Sequence, residues 1–314
     1  MSYEVVNVTP DTPEWEQERR HSIGASEVAA VMGMSPWDTK LGIYRSKLGI
    51  DREFDPVLGY IGHASEAIIA GWVEQYSDQR GVQLEPAFMA RSIEYPWLHA
   101  SFDRVSHDSA GGLVTWQFKT AHQYGGHHWD EGVPTDIRVQ VQTEMLVAGT
   151  RGAWVVVWIG GREFRLFWEA RDQQFIDDYL LPGTRELWFT HIEERIPPEP
   201  TTVAEINAEY PSDAGTTLEG SDTVAEAADR RAVLLSDIKA QQAEADALSL
   251  TIGQYMGTAE TLTYQGRRIL TFKSQKGRRS TDLDRLTTEW PDVAAQVIKQ
   301  GADFKVMRYI KEKK

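Results

Sequence analysis

A chain of 314 residues with 41% hydrophobic content is long enough for one large α/β domain plus an appendage, and can bury a real core. It has no cysteine, which excludes disulfides and thiolate metal sites; no apolar run is long enough to span a bilayer, and the first ten residues lack a signal-peptide layout, so a soluble intracellular protein is expected. The net charge of −14 argues against a nucleic-acid binder taken whole, but residues 193–260 carry 4 basic and 14 acidic side chains and residues 261–314 carry 13 basic and 6 acidic, so a DNA groove would be a local patch on an acidic body.

The first readable element follows Trp15. Ser26 is placed to cap a short helix through its side-chain oxygen, and a helix N-terminus with Arg19 nearby suits a phosphate; a plain cap with a surface arginine fits equally well. Ser35-Pro36-Trp37 repeats the start signal, with Leu41, Tyr44 and Leu48 at helical spacing and Gly49 as the stop. Residues 51–58 read as loop. Gly62 is expected to open a helix with Ile68, Ile69, Trp72, Val73 and Tyr76 as its apolar stripe, which puts Glu66 in the first turn, where the helix dipole alone favours an acid.

Residues 82–98 carry strand material, with Val82, Leu84, Phe88, Ile93 and Trp97, that feeds a central hairpin over 101–120. Its turn is Asp108-Ser109-Ala110-Gly111-Gly112. In the second strand Val114, Trp116 and Phe118 share an apolar face, and Leu113, Thr115, Gln117 and Lys119 share the other. Asp103 at the end of one strand, with a carboxylate-type position and Lys119 two residues apart on its partner, is the arrangement a PD-(D/E)XK nuclease needs. Its oxygens hold a divalent cation and its lysine stands beside the attacking water. The carboxylate position, however, holds an amide, Gln117.

His122, His127 and His128 follow in a glycine-broken loop without the spacing of a zinc site and read as loop histidines. Pro134 starts a helix over 135–148 with Ile137, Val141, Met145 and Ala148 inward and Gln140 and Glu144 one turn apart on a second face. Residues 153–159 and 163–169 form a hairpin about Gly160-Gly161; a helical stretch from Phe175 to Ile192 is interrupted at Pro182-Gly183. The domain expectation is 1–200 as the main domain, 201–221 as linker, and 222–314 as a helical and small basic α+β module. That module holds a long helix over 224–255, a hairpin about Gln265-Gly266, two short helices near 283–288 and 293–299, and a basic strand near 304–311. Basic residues interleaved with aromatics there suit single-stranded nucleic acid, and a solvated surface fits equally well.

Four segments in series, residues 19–37, 62–66, 100–120 and 138–149, resemble the YqaJ viral recombinase family, the phage-lambda-type alkaline exonucleases. The resemblance covers roughly residues 14–200. It implies an α/β restriction-endonuclease-like core, a mixed central sheet flanked by helices. The implied activity is a Mg²⁺-dependent (or Mn²⁺-dependent) 5′-to-3′ exonuclease on double-stranded DNA ends. Its 3′ single strands pass to a single-strand annealing protein in phage-type recombination, within the cytoplasm of a bacterial host. Ring-shaped homo-oligomers are part of that implication, and no membrane association is. Carried over by position, Arg19 and Ser26 hold the 5′ phosphate. Glu66, Asp103, Gln117 and the Phe118 carbonyl surround the metals, Lys119 stands beside the water, and the Gln140/Gln142 pair lies near the DNA end. Gln117 stands where the family has glutamate, which weakens cation binding and water activation and spares DNA binding. Three explanations follow: an engineered change that traps a DNA complex, a natural relative whose acid comes from elsewhere, with Glu144 as candidate, or a binding-only protein. Alternative functions are a non-catalytic DNA-end binding protein and a restriction-type endonuclease.

Overall fold

The computed structural model describes residues 2–9, 12–50, 56–210, 216–277, 282–299 and 307–310. By backbone contacts the chain falls into two compact units, residues 1–206 and 207–314. The first unit contains two mixed four-stranded sheets flanked by helices, an α/β arrangement with the expected mixed sheet order, though in two sheets rather than one central one. One sheet has the order β1 (Tyr3–Val6), β3 (Phe88–Ser92), β4 (Leu98–Phe102), β2 (Ile23–Gly24), with β2 parallel to β4. The other runs β5 (Arg104–His107), β6 (Leu113–Ala121), β7 (Gly152–Ile159), β8 (Glu163–Ala170), with β6 and β7 parallel and the outer pairs antiparallel. Asp103 is the single residue between β4 and β5, where the chain leaves one sheet for the other.

Around these strands lie α1 (Pro13–Arg20), α2 (Val28–Val31), α3 (Lys40–Lys47), α4 (Pro56–Tyr76) and α5 (Thr135–Ala148). A parallel β6–β7 pair needs a crossover, and α5 is that crossover. It starts after Pro134 and stops at Gly149, whose left-handed φ of 71° favours glycine. Between them α5 packs against strands of both sheets, and every side chain from Val139 to Ala148 is buried. On one face of β6, Trp116 and Phe118 pack with Val156 against Ile69 and Val73 of α4. On the other, Val155 and Val157 of β7 meet Val141 and Met145 of α5. Both faces of the central pair are therefore covered, and the polar face of β6 lies under a helix. Thr115 and Gln117 are as inaccessible as the apolar face, at 0% and 3% exposure.

Several expected elements differ. Helix α4 starts at Pro56, so Glu66 lies in mid-helix rather than in the first turn; residues 51–55 of the expected loop lie outside the described residues. Ser26 does not cap a helix. It sits inside a short 3₁₀ turn, Ala25–Glu27, entered through Gly24, whose N–H donates to Glu27 Oε2 at 2.7 Å. The start near Ser35 is likewise displaced. Ser35 Oγ accepts from the Trp37 and Asp38 amides in a turn, and Thr39 caps α3 by accepting from Gly42 N at 3.0 Å.

Ile93 and Trp97 belong to the β3–β4 connection, not to strands. Residues 173–193 are helical throughout: wider π turns at Ile176–Leu180 and Glu186–Glu193 let the helix pass Pro182, which lacks an N–H to donate. Gly183 lies close to Met32 there, and a Cβ would stand 2.7 Å from Met32 Sδ, so the methionine would have to shift. The hairpins about residues 108–112 and Gly160-Gly161 form as expected, the latter two with φ of 56° and 72°.

A helix, Val203–Glu209, lies within the expected linker. In the second unit the long helix runs Asp222–Met256, with Leu234, Leu235, Ile238 and Leu248 exposed, and β9 (Thr261–Tyr264) pairs with β10 (Arg267–Thr271) about Gln265-Gly266. Two short helices, Leu283–Glu289 and Pro291–Val297, follow; of the basic strand expected near 304–311, residues 307–310 are described and carry no strand, and the rest lies outside the described residues. Among the described residues no helix is long and apolar enough to cross a membrane.

Candidate active site

The chain reversal from β4 into β5 leaves Asp103 pointing at β6. Its Oδ2 accepts from the Phe118 amide at 2.6 Å and from Gln117 Nε2 at 2.6 Å. Gln117 turns its oxygen the other way, to accept from Gln140 Nε2 of α5 at 2.9 Å. The same Gln140 nitrogen donates to Glu144 Oε1 at 2.8 Å, and Gln140 Oε1 accepts from Lys119 Nζ at 3.0 Å. Strand and helix are thus tied by one network in the order Asp103, Gln117, Gln140, Glu144, with Lys119 held at its side. The 2-residue spacing on β6 and the 4-residue spacing on α5 each present both partners to the same gap.

Burial governs the electrostatics. Loss of water raises Asp103 to a pKa of about 6, only partly offset by the Lys119 charge and the Phe118 N–H. Glu144, 1% exposed, is raised further, to about 8, by burial first and by the Asp103 charge second. Its Oε2 is sealed from solvent with no hydrogen-bond partner among the described residues. Glu66 reaches the site from α4, with Oε1 3.1 Å from His63 Nδ1 and Oε2 3.6 Å from Arg104 Nη1. A cleft of about 590 Å³ is lined by His63, Glu66, Ser101 and Asp103 together with Trp15 and the segment after β1. Arg104 also donates to the Asp103 carbonyl, so the residue beside the acid is its clamp.

The phosphate-type residues occupy a second cleft of about 640 Å³, lined by Trp15, Arg19, Arg20, Ser26, Glu27 and Lys47 among others. Trp15 borders both clefts, with the Arg19 guanidinium 4.6 Å over its ring. Ser26 is exposed toward this space. Beneath it Glu27 pairs with Lys47 Nζ at 2.6 Å and Arg19 Nη2 at 3.4 Å, which the residue pattern did not reveal; only the Gly24-to-Glu27 spacing signalled a cap, and nothing local marked Lys47 as buried.

Of the sequence-derived set, Asp103, Gln117, Lys119 and Gln140 come together, Glu66 shares a cleft with Asp103, and Arg19 and Ser26 line the neighbouring cleft. Gln142 stands apart. Its Nε2 donates to the Ala170 carbonyl and its Oε1 accepts from the Asp172 amide, both at 2.8 Å, so it fastens α5 to the end of β8. The histidines at 122, 127 and 128 are exposed, and among the described residues no cluster of three His, Asp or Glu side chains forms a ready-made metal cage. The donors still suit Mg²⁺, which keeps several waters and needs only one or two protein carboxylates. Asp103 has its second oxygen free of hydrogen bonds among the described residues, and Glu144 has an orphan oxygen.

Residues 14–151 match the family model of the YqaJ-like viral recombinase domain. The uncharacterized protein YqaJ of Bacillus subtilis (strain 168) is 31% identical over 180 residues, 56% of this chain and 54% of that protein, so the chain matches only about half of its relative's length. Among solved structures, the alkaline exonuclease LHK-Exo from Laribacter hongkongensis is 18% identical, with a TM-score of 0.49 over 59% of this chain and 94% of that one. A phage related exonuclease from Haemophilus somnus 129PT is 12% identical, with a TM-score of 0.41 over 55% and 96%. Over residues 14–151, then, the chain is similar to the YqaJ-like viral recombinase domain.

Proposed function

We propose that this chain is a divalent-metal-dependent nuclease of phage-type recombination that digests duplex DNA from its ends in the 5′-to-3′ direction, leaving a 3′ strand for an annealing partner. The observation that carries this reading is the single network joining Asp103, Gln117, Lys119, Gln140 and Glu144, beside a cleft shared with Glu66. A half-buried and a fully buried acid gathered about one lysine are costly unless a cation or a substrate joins them.

In that role Asp103 and Glu66 would hold Mg²⁺ or Mn²⁺ together with the Phe118 carbonyl. The ion would supply charge neutralisation at the phosphodiester and ease loss of a proton from water. Lys119, fixed by Gln140 Oε1 at 3.0 Å, orients the water and offsets negative charge as it develops. Arg19 and Ser26 in the adjoining cleft bind the terminal phosphate, with Trp15 between the two clefts as the shared wall. Gln142 acts as a structural pin. Homo-oligomeric rings, and contact of residues 261–314 with single-stranded DNA or a partner, belong to the same proposal.

A time course on 5′-phosphorylated linear and on circular duplex in Mg²⁺ tests it. Loss of the linear form alone supports an exonuclease; cutting of both forms means a restriction-type endonuclease. A gel shift of ended DNA without cleavage means a binding protein, the reading that the amide at position 117 favours.

A further inference from the structure

We infer that Glu144, on the helix, supplies the carboxylate that position 117 on the strand lacks, so that Asp103 and Glu144 together take the divalent cation. The inference rests on the nuclease reading and identifies which residue completes its site.

Gln117 is oriented against the task of a ligand. Its Nε2 faces Asp103 Oδ2 at 2.6 Å, and an amide nitrogen has no lone pair to give a cation. Its oxygen is already engaged by Gln140. Glu144 is the converse. It is 1% exposed among Val141, Met145 and Val147, each fully buried, in a part of α5 that an apolar side chain or a glutamine would fill without burying an acid. One of its oxygens accepts from Gln140, and the other has no partner among the described residues. A carboxylate oxygen sealed from water without a donor is destabilising by an amount that proteins seldom leave uncompensated.

Nothing else described around Glu144 supplies the missing contact. The charges of Asp103 and Lys119 both reach it, which places it within the same electrostatic site. Gln140 links the two positions directly: the nitrogen that holds Gln117 also holds Glu144. On this reading the second carboxylate stands on the helix rather than on the strand, one hydrogen-bonded link from position 117.

Mn²⁺ binding to the full chain without DNA, measured by calorimetry and by the electron paramagnetic resonance of free Mn²⁺, tests this apart from activity. Glu144→Gln is expected to weaken binding on the order of tenfold or more, and the exchange Gln117→Glu with Glu144→Gln to restore it. Binding by Glu144→Gln equal to that of the unaltered chain overturns the inference. Should that variant fail to fold, Glu144→Met removes the carboxylate while filling similar space, and undiminished Mn²⁺ binding by it overturns the inference equally. Asp103→Asn separates the two levels. If it loses the ion while Glu144→Gln keeps it, only the role of Glu144 fails; if it too binds unchanged, or the unaltered chain takes no Mn²⁺, the nuclease site fails as a whole.

Discussion

Two charged clusters lie in the first unit, and they are built on opposite principles. Around Glu27 both carboxylate oxygens are paired, one with Lys47 and the Gly24 amide and the other with Arg19, while His99 is bonded to Ser22 at 2.8 Å. Cations within the fold answer the acid, and although burial works against it, Lys47 and Arg19 hold Glu27 down at about 2. Around Asp103 and Glu144 there are one half-buried acid at the cleft wall, one fully buried acid, Lys119 and an orphan oxygen, and both acids are pushed up. A cluster neutralised from within can serve architecture. One short of positive charge is stable only protonated or with a cation brought from outside.

The sharpest way to break this contrast is to remove an acid from each cluster. Asp103→Asn is expected to reduce DNA cleavage by about 10²–10³-fold, read from initial rates at saturating Mg²⁺, while the metal-free protein melts no lower than before. Glu27→Gln is expected to do the reverse to stability. It strands Lys47, whose side chain is 1% exposed, without a counter-charge, at a cost of about 3–5 kcal/mol by urea denaturation.

Next comes pH. Burial first, then the Lys47 charge, keeps His99 neutral down to about 3, against 6.5 when unfolded, so the unfolded chain binds the extra proton and stability is lost as pH falls from about 6.5 toward 3. Glu27, lowered from 4.5 to about 2, adds to that loss below 4.5. Asp103 and Glu144 have the opposite sign: raised from 3.8 to about 6 and from 4.5 to about 8, they lose stabilisation as pH rises through those values. Urea midpoints from pH 4 to 9 should therefore fall on both sides. Mg²⁺, or the Glu144→Gln substitution, should flatten the alkaline side alone. The smallest effect is expected outside both clusters: Gln142→Ala should cost about 1 kcal/mol of stability for its two lost hydrogen bonds and leave cleavage of linear duplex close to unchanged.

The hairpins were readable because their turns are local chemistry: Asp108 Oδ1 accepts from the Ala110 and Gly112 amides, and Gly111 takes a φ of 78°. Helix α5 was readable from its period and its Pro and Gly ends. Its faces were not. Buried all round, it sends Gln140 toward β6 and Gln142 toward β8, and spacing cannot choose between two faces that are both covered. Ser26 looked like a cap because it precedes an apolar run, yet Glu27, three residues beyond Gly24, already satisfies the entry amide.

The sequence by itself determined the residue types that the chemistry requires, the elements that carry them and the amide at position 117, since period, turn residues and side-chain identity are properties of short segments. Only the tertiary structure decided that Asp103 stands at the passage between two sheets, that Glu144 rather than Gln142 joins the network, and that Lys47 is buried beneath Arg19. Each of those depends on which segments exclude water from one another, and that is settled when distant parts of the chain pack together.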